Sequence, residues 1–164
     1  MRHNAHGSGR KPDEEPAVPC EKSLRSWVGA PAVTHGIRVK IEPGLEGSVE
    51  RIVSQEWTLS HVDPNWPAVF TTPAMIAMME MASSYAVQSA LPPGSITVGV
   101  RVEVDHLKPC PVGATVIAVS RLVEIDGRRL IFEAEARSGG TVIGRGRVFH
   151  TIVEHARFLS GAKR

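Results

Sequence analysis

The sequence predicts an α+β domain in which an antiparallel sheet wraps round one long buried helix. Three observations carry that expectation. Residues 74–90 run for the length of a helix without Gly or Pro and are apolar on nearly every face. Ile96, Val98, Val100, Val102 and Val104 alternate with Thr97, Gly99, Arg101, Glu103 and Asp105, the period-two pattern of a strand. Asp126-Gly127 and Gly139-Gly140 then punctuate further β runs, so four strands follow the helix as a meander. A helix with no polar face needs cover all round, and one sheet curled over it is an economical way to supply it.

Taken in order, residues 1–35 are rich in Gly, Pro, His and mixed charge, and are expected to form a disordered leader. The folded domain is expected over residues 36–158, with 159–164 as a short polar tail. Residues 37–41 and 48–59 read as short strands separated by the Pro43-Gly44 turn signal. The next stretch carries Asp63-Pro64-Asn65-Trp66-Pro67, too proline-rich for a helix or a central strand, and reads as a loop over 60–70. Thr72 is placed as the helix N-cap with Pro73 at the first helical position, where its missing N–H costs nothing. Leu91-Pro92-Pro93-Gly94 ends the helix. Three more strands are expected over 114–125, 128–137 and 141–153. One such sheet leaves open edges and one helix flank thinly covered, so a homodimer or a dimer of dimers is expected.

Composition removes several function classes. Hydrophobic residues make up 42% of the 164, enough for a true core. Acids and bases nearly balance at a net charge of +2, and aromatics are sparse, so nucleic-acid binding is not expected. The most apolar stretch, 74–91, is interrupted by Glu80 and serines and is not expected to span a membrane. Two cysteines, Cys20 and Cys110, suggest neither a disulfide framework nor a zinc site, and the cytoplasm is the default compartment. No Gly-x-Ser-x-Gly, Walker-type phosphate loop, His-Glu-x-x-His or Cys-x-x-Cys occurs, and no metal or other cofactor is expected.

Four residues nevertheless have chemistry to offer. Glu80 is the single charged residue between Asp63 and Arg101, set mid-helix among methionines. A carboxylate there is costly to ionise unless it is hydrogen-bonded or shifted in pKa; its bland reading is a narrow solvent stripe with Ser83, Ser84 and Gln88. His106 follows Val104 on the apolar parity of its strand, where a satisfied strand-end histidine is the bland reading. Thr72 lies where helix N–H groups favour developing negative charge, although a cap needs no further function. Gly99 in mid-strand lets another group approach the backbone, or is simply a bulge or a packing gap. His150 and His155 are spaced poorly for a shared metal.

Thr72-Pro73-Ala74-Met75-Ile76-Ala77-Met78-Met79-Glu80, followed by His106, resembles the fluoroacetyl-CoA thioesterase-like family of the hotdog superfamily. The family pattern sets a threonine eight residues before a catalytic glutamate and a histidine twenty-six beyond it, intervals that Thr72, Glu80 and His106 reproduce. Gly99 matches the strand glycine seven before the histidine, and the likeness extends over about residues 37–158. This chain differs in carrying Pro73 after the threonine, and Trp66 and Asp63 in a loop that is phenylalanine-rich in the fluoroacetyl-specific enzyme. The resemblance implies hydrolysis of an acyl-CoA thioester. Glu80 would be nucleophile or water-activating base, His106 would handle protons, Thr72 would orient the acyl group or Glu80, and Gly99 with Trp66 would contact substrate. A non-catalytic acyl-CoA-binding module and a hydratase or dehydratase of the same fold are the alternatives. Thr72 and Glu80, eight residues apart on one helix, lie roughly 12 Å apart along its axis and about 80° apart around it. A site shared across a dimer is therefore expected.

Overall fold

The computed structural model describes residues 40–161. The long helix, α2, spans Thr72–Val87 and closes with a single 3-10 turn over Gln88–Ala90; the short helix α1, Leu59–Val62, precedes it. Five strands complete the sheet: β1 Glu46–Ile52, β2 Ser95–His106, β3 Thr115–Asp126, β4 Arg129–Ser138 and β5 Thr141–Glu154. They pair antiparallel throughout in the order β1-β3-β4-β5-β2, so β1 and β2 are the edges. A last helix, α3, runs over His155–Gly161. The expected sheet and helix are both present.

Helix α2 buries one stripe rather than its whole circumference. Met75, Met78, Met79, Ala82, Ser83, Ala86 and Val87 are buried, at the three- and four-residue spacing of one helix face. They pack on Leu122, Leu130, Phe132, Ala136, Ile143 and Val148 from the sheet. Ile76, Ala77, Glu80, Met81, Ser84 and Tyr85 remain partly exposed on the other flank. The one polar pair inside the core is satisfied internally: Ser83 donates to the Met79 carbonyl at 2.9 Å and shares a 2.7 Å hydrogen bond with Ser120.

Several local expectations shift. The N-cap of α2 is Thr71, whose hydroxyl accepts from the Ala74 N–H at 3.3 Å; Thr72 is the first helical residue and Pro73 the second. The two adjacent threonines compete for one cap, and Thr71 takes it because its own N–H is tied to the Trp57 carbonyl at 2.9 Å. Of the strand expected over 37–41, residues 37–39 lie outside the described chain and 40–41 are not in a strand. The strand expected over 48–59 stops at Ile52: Val53 still bonds Ala114 and Gly113 through its backbone, and the chain then winds into a 3-10 turn over Gln55–Trp57 and α1. The first hairpin turns at Gly127-Arg128, one residue later than expected: Asp126 still pairs with Arg129, and Gly127 takes the left-handed φ of 59°. The segment after β5, expected as polar domain end and tail, winds into α3. The leader lies outside the described residues.

The most consequential difference lies in β2. Its pairing with β5 slips between Gly99↔His150 and Arg101↔Phe149, leaving Val100 as an extra residue, 55% exposed. The slip exchanges the two faces. Thr97 and Gly99 point at α2 before the bulge, where Ile96, Val98 and Val100 were expected to; Val102, Val104 and His106 face inward after it.

Candidate active site

Strand β2 runs beside α2, and two groups of candidate residues form along the contact. At the start of the helix, Thr72 Oγ1 and His106 Nδ1 are 2.9 Å apart, joining residues 34 positions apart in sequence. The His106 ring stands edge-on to Phe70 at a centroid separation of 6.5 Å, and its Nε2 is buried without a partner among the described residues. With Nδ1 engaged by the threonine hydroxyl, Nε2 is the ring nitrogen left without a partner, and it is buried. The pair opens on a cleft of about 280 Å³ lined also by Leu59, Val69, Leu107 and Lys108.

Two turns along, the Glu80 side chain reaches the strand at Gly99. A Cβ built on Gly99 would fall on Glu80 Oε1, so the absence of a side chain there is what admits the carboxylate. Neither a hydrogen bond nor an ion pair holds Glu80 among the described residues, and burial raises its pKa above the ordinary 4.5. A carboxylate shifted upward is a better base near neutral pH than an ordinary surface glutamate. Gly144, opposite His106 in the β2–β5 register, is a similar notch, occupied by the Met75 thioether. Two strand glycines thus receive two side chains of one helix.

The geometry therefore brings Thr72 to His106 and Glu80 to Gly99, but within one chain it does not bring Glu80 into hydrogen-bond contact with the Thr72–His106 pair. Trp66 stands in the loop before α2, 49% exposed, and does not line the cleft at Thr72 and His106. One residue that the sequence suggested only as half of a poor metal pair is conspicuous: His150, buried on β5 directly across from Gly99. Its signal was its position on the buried parity of the last strand, two residues beyond Val148.

The model of a protein family described as fluoroacetyl-CoA-specific thioesterase matches residues 53–156, well over half of the chain. The chain belongs to this family. Among curated proteins, the fluoroacetyl-CoA thioesterase of Streptantibioticus cattleyicolor is 30% identical over 113 residues, covering 65% of this chain and 81% of that enzyme. A solved structure of a fluoroacetyl-CoA thioesterase variant in complex with acetyl-CoA superposes with a TM-score of 0.70 at 26% identity, covering 75% of this chain and 97% of that one. A thioesterase superfamily member from Thermus thermophilus gives 0.71 at 28% identity, covering 76% and 92%. The curled five-strand sheet packed on one helix is accordingly the hotdog fold of the thioesterase superfamily. Among the described residues, no helix is long and apolar enough to cross a membrane and no cluster of His, Cys, Asp or Glu is arranged to hold a metal.

Proposed function

We propose that this family member hydrolyses a small or medium acyl-CoA to the free acid and CoA thiol, with Glu80, His106 and Thr72 as its working side chains. The observation that carries the assignment is the 2.9 Å Thr72–His106 hydrogen bond between two residues that line one cleft, with His106 Nε2 left unpartnered. The carbonyl is attacked either by water, or by the Glu80 carboxylate to give an anhydride that water then cleaves. In both routes the C–S bond breaks, and over the cycle water supplies its oxygen and one proton to the acid and its other proton to the departing thiolate. Glu80 supplies the carboxylate, as direct nucleophile or as base for the water, and His106 carries the proton to sulfur. Thr72 fixes the imidazole and lies in the first turn of α2, where N–H groups favour a developing oxyanion.

Glu80 reaches the Thr72–His106 pair of a second subunit, not of its own. Support comes from the roughly 12 Å of helix between Thr72 and Glu80, and from the partly exposed flank of α2 that carries Glu80 with Ile76, Ala77 and Ser84. Two such helices packed antiparallel about a dimer axis bring each Glu80 to the start of the other helix. The protein is then at least a homodimer in solution, the edge strand β2 supplying further surface for a partner.

The primary experiment is Glu80→Gln assayed with a panel of acyl-CoA substrates and free-thiol detection. The amide keeps the volume and removes both nucleophile and base, so kcat is expected to fall by about 10²-fold or more while the melting temperature holds. Turnover near the wild-type rate would remove Glu80 from the mechanism. A folded chain that binds acyl-CoA yet releases no thiol from any panel member would favour a binding module.

A further inference from the structure

His150 is the one histidine of the described chain with both ring nitrogens buried and neither hydrogen-bonded. Its side chain is 1% exposed, edge-on to Phe132 at 5.5 Å between centroids, and burial lowers its pKa to about 4. It is therefore a neutral imidazole at physiological pH, with one N–H and one lone pair unsatisfied. Such orphans are rare in folded proteins because each forfeits its hydration without replacement. A leucine here would pack on Phe132 with no such penalty, so core packing alone does not account for a histidine.

Its position supplies an account. In an antiparallel ladder, directly paired residues project to the same face with Cβ atoms about 5 Å apart. The partner of His150 on β2 is Gly99, and the place of the Gly99 side chain is taken by the Glu80 carboxylate. His150 and Glu80 thus occupy one face of the sheet on either side of a residue that puts no side chain between them. The other neighbours of His150 on its strands, Leu130 and Phe132 of β4, are uncharged. On one side stands a carboxylate without a donor, on the other a buried N–H without an acceptor.

We propose that His150 is a positioning residue for Glu80, donating its ring N–H to the carboxylate across the Gly99 notch and fixing the orientation in which Glu80 reacts. Rotation of the flexible Glu80 side chain, or one bridging water, closes the remaining gap. The role rests on the reading of Glu80 as the catalytic carboxylate. It also gives Gly99 a second duty, since any side chain at that position would separate the two groups.

The test compares His150→Leu with His150→Gln in the full-length protein. Losing a donor to a charged acceptor lowers kcat by roughly tenfold with KM changed little, while the leucine variant melts at or above the wild-type temperature. His150→Gln retains an N–H donor and recovers most of kcat. In a Glu80→Gln background, adding His150→Leu lowers the residual rate no further, because the two act as one unit. If the leucine variant does not fold, His150→Phe carries the same comparison with a ring of similar size. A kcat for the folded leucine or phenylalanine variant within twofold of wild type overturns the proposal, as does a glutamine variant no better than leucine. Those results beside an inactive Glu80→Gln would sink only the His150 role; an active Glu80→Gln would sink the catalytic reading beneath it.

Discussion

The Glu80 carboxylate occupies the place where residue 99 would carry its side chain. Gly99 and Gly47 are both points of contact between the sheet and α2, yet they meet different partners. At Gly99 a methyl group would meet the far end of a flexible side chain; at Gly47 it would meet the Ala82 carbonyl and the Ala86 N–H of the helix backbone.

Gly99→Ala is accordingly expected to cost activity rather than stability. The methyl group displaces the carboxylate by side-chain rotation, so kcat falls by about 10-fold or more while the melting temperature changes by only a few degrees. Gly47→Ala is expected to do the reverse, forcing the helix away from β1 and losing roughly 1–3 kcal/mol. Thermal melts and acyl-CoA turnover of the two variants check the pair. Equal loss of stability in both would show that the Gly99 notch is structural.

The rate is expected to depend on pH through Glu80. Its working form is ionised, and burial raises the pKa above 4.5, so activity is lost as pH falls through that raised value. The acid limb of kcat/KM should have its midpoint above the ordinary glutamate value of 4.5. A profile flat down to pH 4.5 contradicts it.

Complementation tests the shared site. Thr72→Ala and Glu80→Gln chains, each impaired alone, are unfolded together, refolded and assayed. If each site draws on two chains, one site of every mixed dimer is wild type, and random pairing restores about a quarter of full activity. If each site lies within one chain, no intact site forms and mixing restores nothing. Light scattering that finds only monomer also removes the shared site.

Stability is expected to follow His150. Its folded pKa of about 4 lies below the 6.5 of the unfolded chain, so between those values the unfolded state binds a proton that the folded state refuses. Folding stability therefore declines as pH falls through this window, by up to about 3 kcal/mol, and this contribution levels off below it. Urea titrations across pH 4–7 should show the decline in wild type and a shallower one in His150→Leu. Parallel curves would mean that the imidazole takes up its proton without unfolding.

The architecture was legible because its signals are local and repeated: the helix free of Gly and Pro, the alternation in β2, and glycine turns at Gly127 and Gly139-Gly140. Thr72 and His106 were legible as separate candidates, and the structure joins them. Less was visible where one residue changes the geometry. Val100 continues the alternating pattern without interruption, so nothing in the sequence marks it as unpaired. Thr71 and Thr72 are chemically alike, and only the anchoring of Thr71 to Trp57 decides which caps the helix. His150 was weighed only as a metal ligand, because an orphaned nitrogen is a property of surroundings that alternation does not display.

The bulge in β2 has a consequence for how this strand could tolerate a change in length. Gly99 and His106 are seven positions apart, an odd interval, and on an uninterrupted strand they would look in opposite directions. They look the same way because Val100 is present as a spacer outside the pairing. Its side chain is largely in solvent, so many replacements at this position should be silent. Excising it would instead rotate Gly99 away from Glu80 or His106 away from Thr72, depending on which half of the strand kept its register. Residue 100 thus contributes a count rather than a contact, and the two ends of the site are kept in phase by arithmetic.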